Sequence, residues 1–215
     1  MRKRRDFVRL EGNRSARLVV IAAEGRYTEN IYFEAVKSNL NASNVHVEIL
    51  QREDNNSSPE NVYMQIQGFM NEYNIEEDDE LWVVVDRDRW TVKSLAHVAR
   101  LCNQNQNLRF CVSNPCFELW LLLHFEDVSQ YSDEDVDKIA ANRKNSRWGR
   151  TFLKQRICDL AGHYSEAHYD AEAMLENADM AVIRAENLDT CPFDRWPQHV
   201  GTRVYLLMKS IMRRK

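Results

Sequence analysis

Four short apolar runs, separated by stretches with helical spacing, constrain this chain more than any other feature. "LVVIAA" (18–23) is continuous and rich in β-branched residues, as a strand buried on both faces requires. "VHVEIL" (45–50) alternates and belongs nearer a sheet edge, while "LWVVVD" (81–86) and "LRFCV" (108–112) supply a third and a fourth strand. Between them, Thr28 can cap a helix carrying Tyr32, Phe33, Val36 and Leu40. Ser58-Pro59-Glu60 opens a second helix, with Val62, Ile66, Phe69, Met70 and Tyr73 on one stripe, and a third spans about 92–103. Strand and helix in strict alternation predict a parallel sheet with right-handed crossovers. The expectation is an α/β fold with a four-stranded, mainly parallel sheet flanked by helices.

The rest of the chain reads as helical. "PCFELWLLLHF" (115–125) looks like a buried helix, Ser132 caps a segment with three acids in its first turn, and 151–161 forms another. Ala171, Met174, Leu175, Ala178 and Val182 mark one more segment, and Val200, Val204, Leu207, Met208 and Ile211 a last one. With no low-complexity linker, this part is expected to pack on the sheet. The predicted division is a basic N-terminal arm over 1–17, the α/β unit over 18–126 and a helical extension over 127–215. Six Gly and four Pro in 215 residues, with 44% hydrophobic and 29% charged, argue against an all-β or a disordered chain.

Net charge, −4, points to neither nucleic acid nor membrane, although Arg2 to Arg5 and Arg213 to Lys215 are basic ends. Five cysteines, an odd number without a CxxC pair, argue against a disulfide framework and a zinc ribbon. Cys111, Cys116 and His124 do not follow a known zinc spacing, so the thiols read as small buried residues. No apolar stretch spans a bilayer and none follows the basic start, so a cytoplasmic protein without a signal peptide is expected. P-loop, dinucleotide-binding and HExxH motifs are absent.

In parallel sheets ligands bind beyond the carboxyl ends of the strands. Glu24 and Gly25 end the first strand here, and Asp86 ends the third with Asp88 two residues on. In an extended chain such a pair shares a face. Two carboxylates ~5 Å apart repel by roughly 3 kcal/mol at an effective dielectric near 20. A divalent cation would offset that, and so would pairing with Arg87, Arg89 or a distant lysine.

Three segments together, "EGRYTENIYF" (24–33), "VVVDRDRW" (83–90) and "SNPCFELWLLLHF" (113–125), resemble the RloB-like family of restriction and phage-defence loci. The framework resembles the topoisomerase-primase (Toprim) domain, a Rossmann-like arrangement. The resemblance implies a site that uses Mg²⁺, with Mn²⁺ as a substitute. Glu24 would be general base or metal ligand, and Asp86 and Asp88 metal ligands. Related nucleases add a further acid and a lysine, for which Glu118 and either Lys144 or Lys154 are the candidates.

Other residues follow from position. Arg26 and Thr28 lie after the Glu-Gly turn, where a helix N-terminus favours anions, and Asn114 precedes a proline at the same sheet edge. Lys144, Arg147 and Lys154 belong to the most basic interior segment, 143–156, with Trp148 inside it, which is either a nucleic-acid contact or a solvated face. His124 is a further candidate contact. It falls about 240° around a helix from Glu118, so both reach one site only if the helix breaks, and a place in the core is equally open. The expected function is a metal-dependent Toprim-type nuclease cutting DNA or RNA in anti-phage defence, working alone, as an oligomer or with a partner defence ATPase. The alternatives are a catalytically silent nucleotide- or partner-binding subunit and a metal-dependent phosphatase or phosphotransferase acting on a small molecule.

Overall fold

The computed structural model describes residues 4–8, 16–40, 44–52, 57–147 and 149–212. Among the described residues, five strands form one sheet: β1 (Arg17–Ala23), β2 (Val45–Leu50), β3 (Glu80–Asp86), β4 (Leu108–Asn114) and β5 (Gly201–Thr202), in the order β2-β1-β3-β4-β5. The first four are parallel, and β2 is the edge strand that its alternating pattern predicts. The sheet has five strands rather than four, because Gly201 and Thr202 pair antiparallel with Asn114 and Ser113. Two residues are too few to carry a periodic signal.

Period-two alternation divides the core. Val19, Ile21, Trp82 and Val84 face one side of the sheet, and Leu18, Val20, Leu81 and Val83 face the other. The second side is covered by α2 (Pro59–Glu72) and α3 (Val92–Cys102). Ser58 caps α2 as expected, accepting from the Asn61 N–H at 3.3 Å. On the first side lie α1 (Thr28–Ser38), the short α4 (Glu118–Leu122) and the C-terminal helices α5 (Asp133–Ala141), α6 (Phe152–Ala161), α7 (Ala171–Leu175), α8 (Ala178–Leu188) and α9 (Val204–Met212). The segment after 127 thus shares a core with the sheet and adds a strand to it.

Local departures from the sequence reading have physical causes. Thr28 does not cap α1: it is the first helical residue, and its hydroxyl reaches the Glu166 carbonyl at 3.4 Å. The helix expected over 115–125 is regular only from Glu118 to Leu122, since the N–H groups of Leu119, His124 and Phe125 bond three residues back and tighten both ends. The stretch around 171–182 is two helices, broken where the Asn177 N–H turns back to Met174 at 3.0 Å. Of the basic arm, Arg5 pairs with Tyr73 beside α2 and Phe7 packs against the core, whereas 1–3 and 9–15 fall outside the described residues.

Candidate active site

The strand order reverses at β1, whose two neighbours β2 and β3 take the chain in opposite directions. The loops leaving the carboxyl ends of β1 and β3 therefore diverge and open a crevice. A cleft of about 330 Å³ lies there, and Glu24, Glu29, Asp86, Asp88 and Glu118 all line it. Cations at its walls are Arg26, Arg52, Arg89 and Lys154.

Each acid is held by a different element. Glu24 follows β1; its carboxylate Oε2 accepts the Asp86 N–H at 3.1 Å and the Trp90 indole N–H at 2.8 Å, while its carbonyl accepts from Arg52. Asp86 ends β3. Asp88 is not in extended chain, as the spacing argument assumed, but in a turn where the N–H groups of Arg87 and Asp88 both donate to the Pro115 carbonyl at 3.1 Å. The cis Asn114-Pro115 peptide belongs to that crossing point of the β3 and β4 loops. Glu118 opens α4 and meets Tyr164 Oη at 3.3 Å and Lys154 Nζ at 3.5 Å.

Glu29 was not legible as a site residue. It is buried in the first turn of α1, and its Oε1 accepts the Gly25 N–H at 2.9 Å. A Cβ on Gly25 would stand 1.8 Å from Glu29 Oε2, so the carboxylate fits under the turn only because residue 25 is glycine.

Crowding of the acids shows in their proton affinity. Burial lifts Asp86 well above the ordinary carboxylate range, and the charges of Glu29, Glu24, Glu118 and Asp88 add to it. Burial, then Glu118 and Glu24, push Glu29 up to about 7 against hydrogen bonds from its own N–H and that of Gly25. Glu24 is raised by burial and restrained by Trp90, the Asp86 N–H and Arg89. Asp88 is raised by burial, with Arg89 and Lys154 opposing and Glu118 adding.

The ligand atoms of Asp86, Cys116 and Glu118 lie within 4.8 Å of one another, the one such group among the described residues. The sequence pattern predicts Cys116 as a small buried residue rather than a ligand. It is buried, and its sulfur accepts from Asn142 Nδ2 at 3.3 Å. Asn142 is fixed by a left-handed backbone (φ 38°) and by the Leu153 N–H on its Oδ1. Two carboxylate oxygens and a sulfur suit a divalent cation, and Glu24, Glu29 and Asp88 surround them.

The remaining candidates divide. Arg26 and Thr28 line the cleft, although the Thr28 side chain is buried. Asn114 turns away, donating to the Pro197 and His199 carbonyls at 3.1 and 2.9 Å. His124 is in the core: its Nδ1 meets the Trp120 carbonyl at 3.0 Å and its Nε2 the Tyr32 hydroxyl at 3.0 Å. A carbonyl only accepts, so Nδ1 carries the proton and Nε2 accepts from Tyr32. Lys144 and Arg147 are exposed on the 143–151 excursion and do not line the cleft, whereas Lys154 does; Trp148 lies outside the described residues.

Fold and cleft define an α/β protein with a carboxylate-rich site at the switch point of a mainly parallel sheet. The chain belongs to the RloB-like protein family, whose model matches residues 19–211 and so spans the C-terminal helices as well as the motif-bearing sheet. No curated protein and no solved structure gives a significant match. Among the described residues no helix is long and apolar enough to cross a membrane.

Proposed function

We propose that the chain is a Mg²⁺- or Mn²⁺-dependent phosphodiesterase of Toprim type that cuts nucleic acid, with the phage-defence setting that the family resemblance implies. The observation that carries the reading is the convergence of five carboxylates at the switch point, two of which, Asp86 and Glu118, have ligand atoms within 4.8 Å of each other and of the Cys116 sulfur. Asp86 and Glu118 would hold the cation, with Cys116 beside them and Asp88 at the rim. When bound, the cation supplies Lewis-acid polarisation of a phosphoryl oxygen and acidifies a coordinated water. Glu24, raised by burial and oriented by Trp90, would take a proton from the attacking water. Lys154 and Arg89, which line the cleft, would face the negative charge of a phosphate.

The test is incubation of the purified chain with Mg²⁺ or Mn²⁺ and plasmid, linear DNA or bulk tRNA, beside Asp86→Ala. Cleavage that disappears in the variant is the expected result. No cleavage of any of them, together with no Mg²⁺-dependent rise in melting temperature, would overturn the reading and leave a silent binding subunit. Cleavage confined to small phosphate esters would instead assign a phosphatase.

A further inference from the structure

The mouth of the cleft carries one carboxylate that the acidic floor does not need. Glu166 sits in a tight reversal closed by the Ser165 N–H to His168 carbonyl bond at 2.9 Å and its reciprocal at 3.0 Å. Its carboxylate pairs with the Lys154 ammonium, and the Glu166 side chain is 55% exposed against 23% for Lys154. Arg89, in the turn after β3, faces Asp88 at 3.9 Å and also feels the charge of Glu166. An exposed anion thus sits among cations at the entrance to a site already holding five acids.

That arrangement makes Glu166 easy to displace. The pair is open to water on its Glu166 side, where an ion pair gives little stability, and that side chain leaves into water rather than into the core. Lys154 does not depend on it, because Glu118 holds the ammonium from the inner side at 3.5 Å. The reversal itself is tied to α1 through the Thr28 hydroxyl on the Glu166 carbonyl at 3.4 Å and the Tyr169 hydroxyl on the Thr28 carbonyl at 2.6 Å. Both bonds engage backbone carbonyls, so the carboxylate can swing without breaking them.

We propose that Lys154 and Arg89 form a subsite for a phosphate group and that Glu166 is its placeholder anion in the free chain, displaced when a phosphate enters. The role of this subsite in cleavage rests on the phosphodiesterase reading, but its existence does not. A phosphodiester there brings the single negative charge of the carboxylate it replaces, a terminal or inorganic phosphate brings more, and either would lie beside Asp88 and Glu118.

The experiment measures the affinity of inorganic tripolyphosphate and of a labelled dodecanucleotide at low salt in EDTA, by calorimetry and by anisotropy. Glu166→Gln keeps the shape of an exposed side chain and removes its charge, and it is expected to tighten one or both probes roughly 3- to 10-fold. Lys154→Gln should weaken them, and the gain from Glu166→Gln should vanish in the double variant. An unchanged or weaker affinity in Glu166→Gln, or a gain that persists without Lys154, overturns the proposal. Asp86→Asn separates the two readings: it removes cation-dependent stabilisation and cleavage, and the Glu166→Gln gain in EDTA survives in its background.

Discussion

The indole N–H of Trp90 donates to Glu24 Oε2 at 2.8 Å, joining the loops that leave β3 and β1. The same oxygen accepts the Asp86 N–H, so Glu24 is oriented by backbone and side chain of a single neighbouring loop. Trp90→Phe keeps the ring and removes the donor. Because that hydrogen bond favours ionised Glu24, its loss raises the carboxyl further. Cleavage by Trp90→Phe should fall about 10-fold or more at pH 7 and recover partly at higher pH, as a pH–rate profile beside wild type would show.

Part of the cleft's lining is legible in the sequence, and the rest is not, for identifiable physical reasons. Glu24 and Asp86 are legible as cleft residues because apolar runs announce strands and strand ends announce the ligand edge. Glu29 and Trp90 lie within the quoted motifs, yet their roles come from side-chain direction in turns, which spacing does not encode. Cys116 reads as a buried thiol in sequence because the carboxylates it meets, Asp86 and Glu118, come from different elements, so no spacing marks the group. Asn114 and His124 show the converse: a correct location in sequence, with side chains that turn to the Pro197–His199 backbone and to the core. Lys144, Arg147 and Lys154 share one basic stretch, but the chain turns between them and only Lys154 enters the cleft.

The buried acids make stability depend on pH, with a sign set by their raised values. Glu29 binds its proton more tightly in the folded chain, so its contribution is present at low pH and is lost as pH rises from about 4.5 to about 7. His124 works in the opposite direction: burial lowers it to about 4, so its contribution is lost as pH falls below about 6.5. The two slopes overlap, and the clean quantity is a difference. Glu29→Gln should be more stable than wild type by an amount on the order of 3 kcal/mol at pH 8 and under about 1 kcal/mol at pH 5, in urea titrations without divalent cation. Saturating Mg²⁺ should narrow the gap at pH 8 by stabilising wild type more than the variant.

Cys116 gives the floor a sulfur beside two carboxylates, and that predicts a measurable difference between hard and soft cations. Cd²⁺ should bind with a near-ultraviolet thiolate charge-transfer band and raise the melting temperature of the wild-type chain. Cys116→Ser should lose the band and most of the Cd²⁺ effect while keeping its Mg²⁺ response, since Asp86 and Glu118 supply the oxygen donors. A Cd²⁺ band of full size in Cys116→Ser would place the soft cation elsewhere.

The Tyr32–His124 pair has the geometry of a structural contact, and its removal should separate folding from chemistry. The His124 Nδ1–H donates to the Trp120 carbonyl and its Nε2 accepts from the Tyr32 hydroxyl, both inside the core formed by α1, α4 and the sheet. His124→Phe leaves the buried Tyr32 hydroxyl without an acceptor, which costs about 1–3 kcal/mol. Tyr32→Phe in the same chain removes the stranded hydroxyl and should return part of that loss. Urea denaturation of the two single variants and the double variant measures the coupling. Mg²⁺-dependent stabilisation should be unchanged in all of them at temperatures where they are folded. A selective loss of cation or phosphate affinity in His124→Phe would put His124 back at the site that the sequence had offered it.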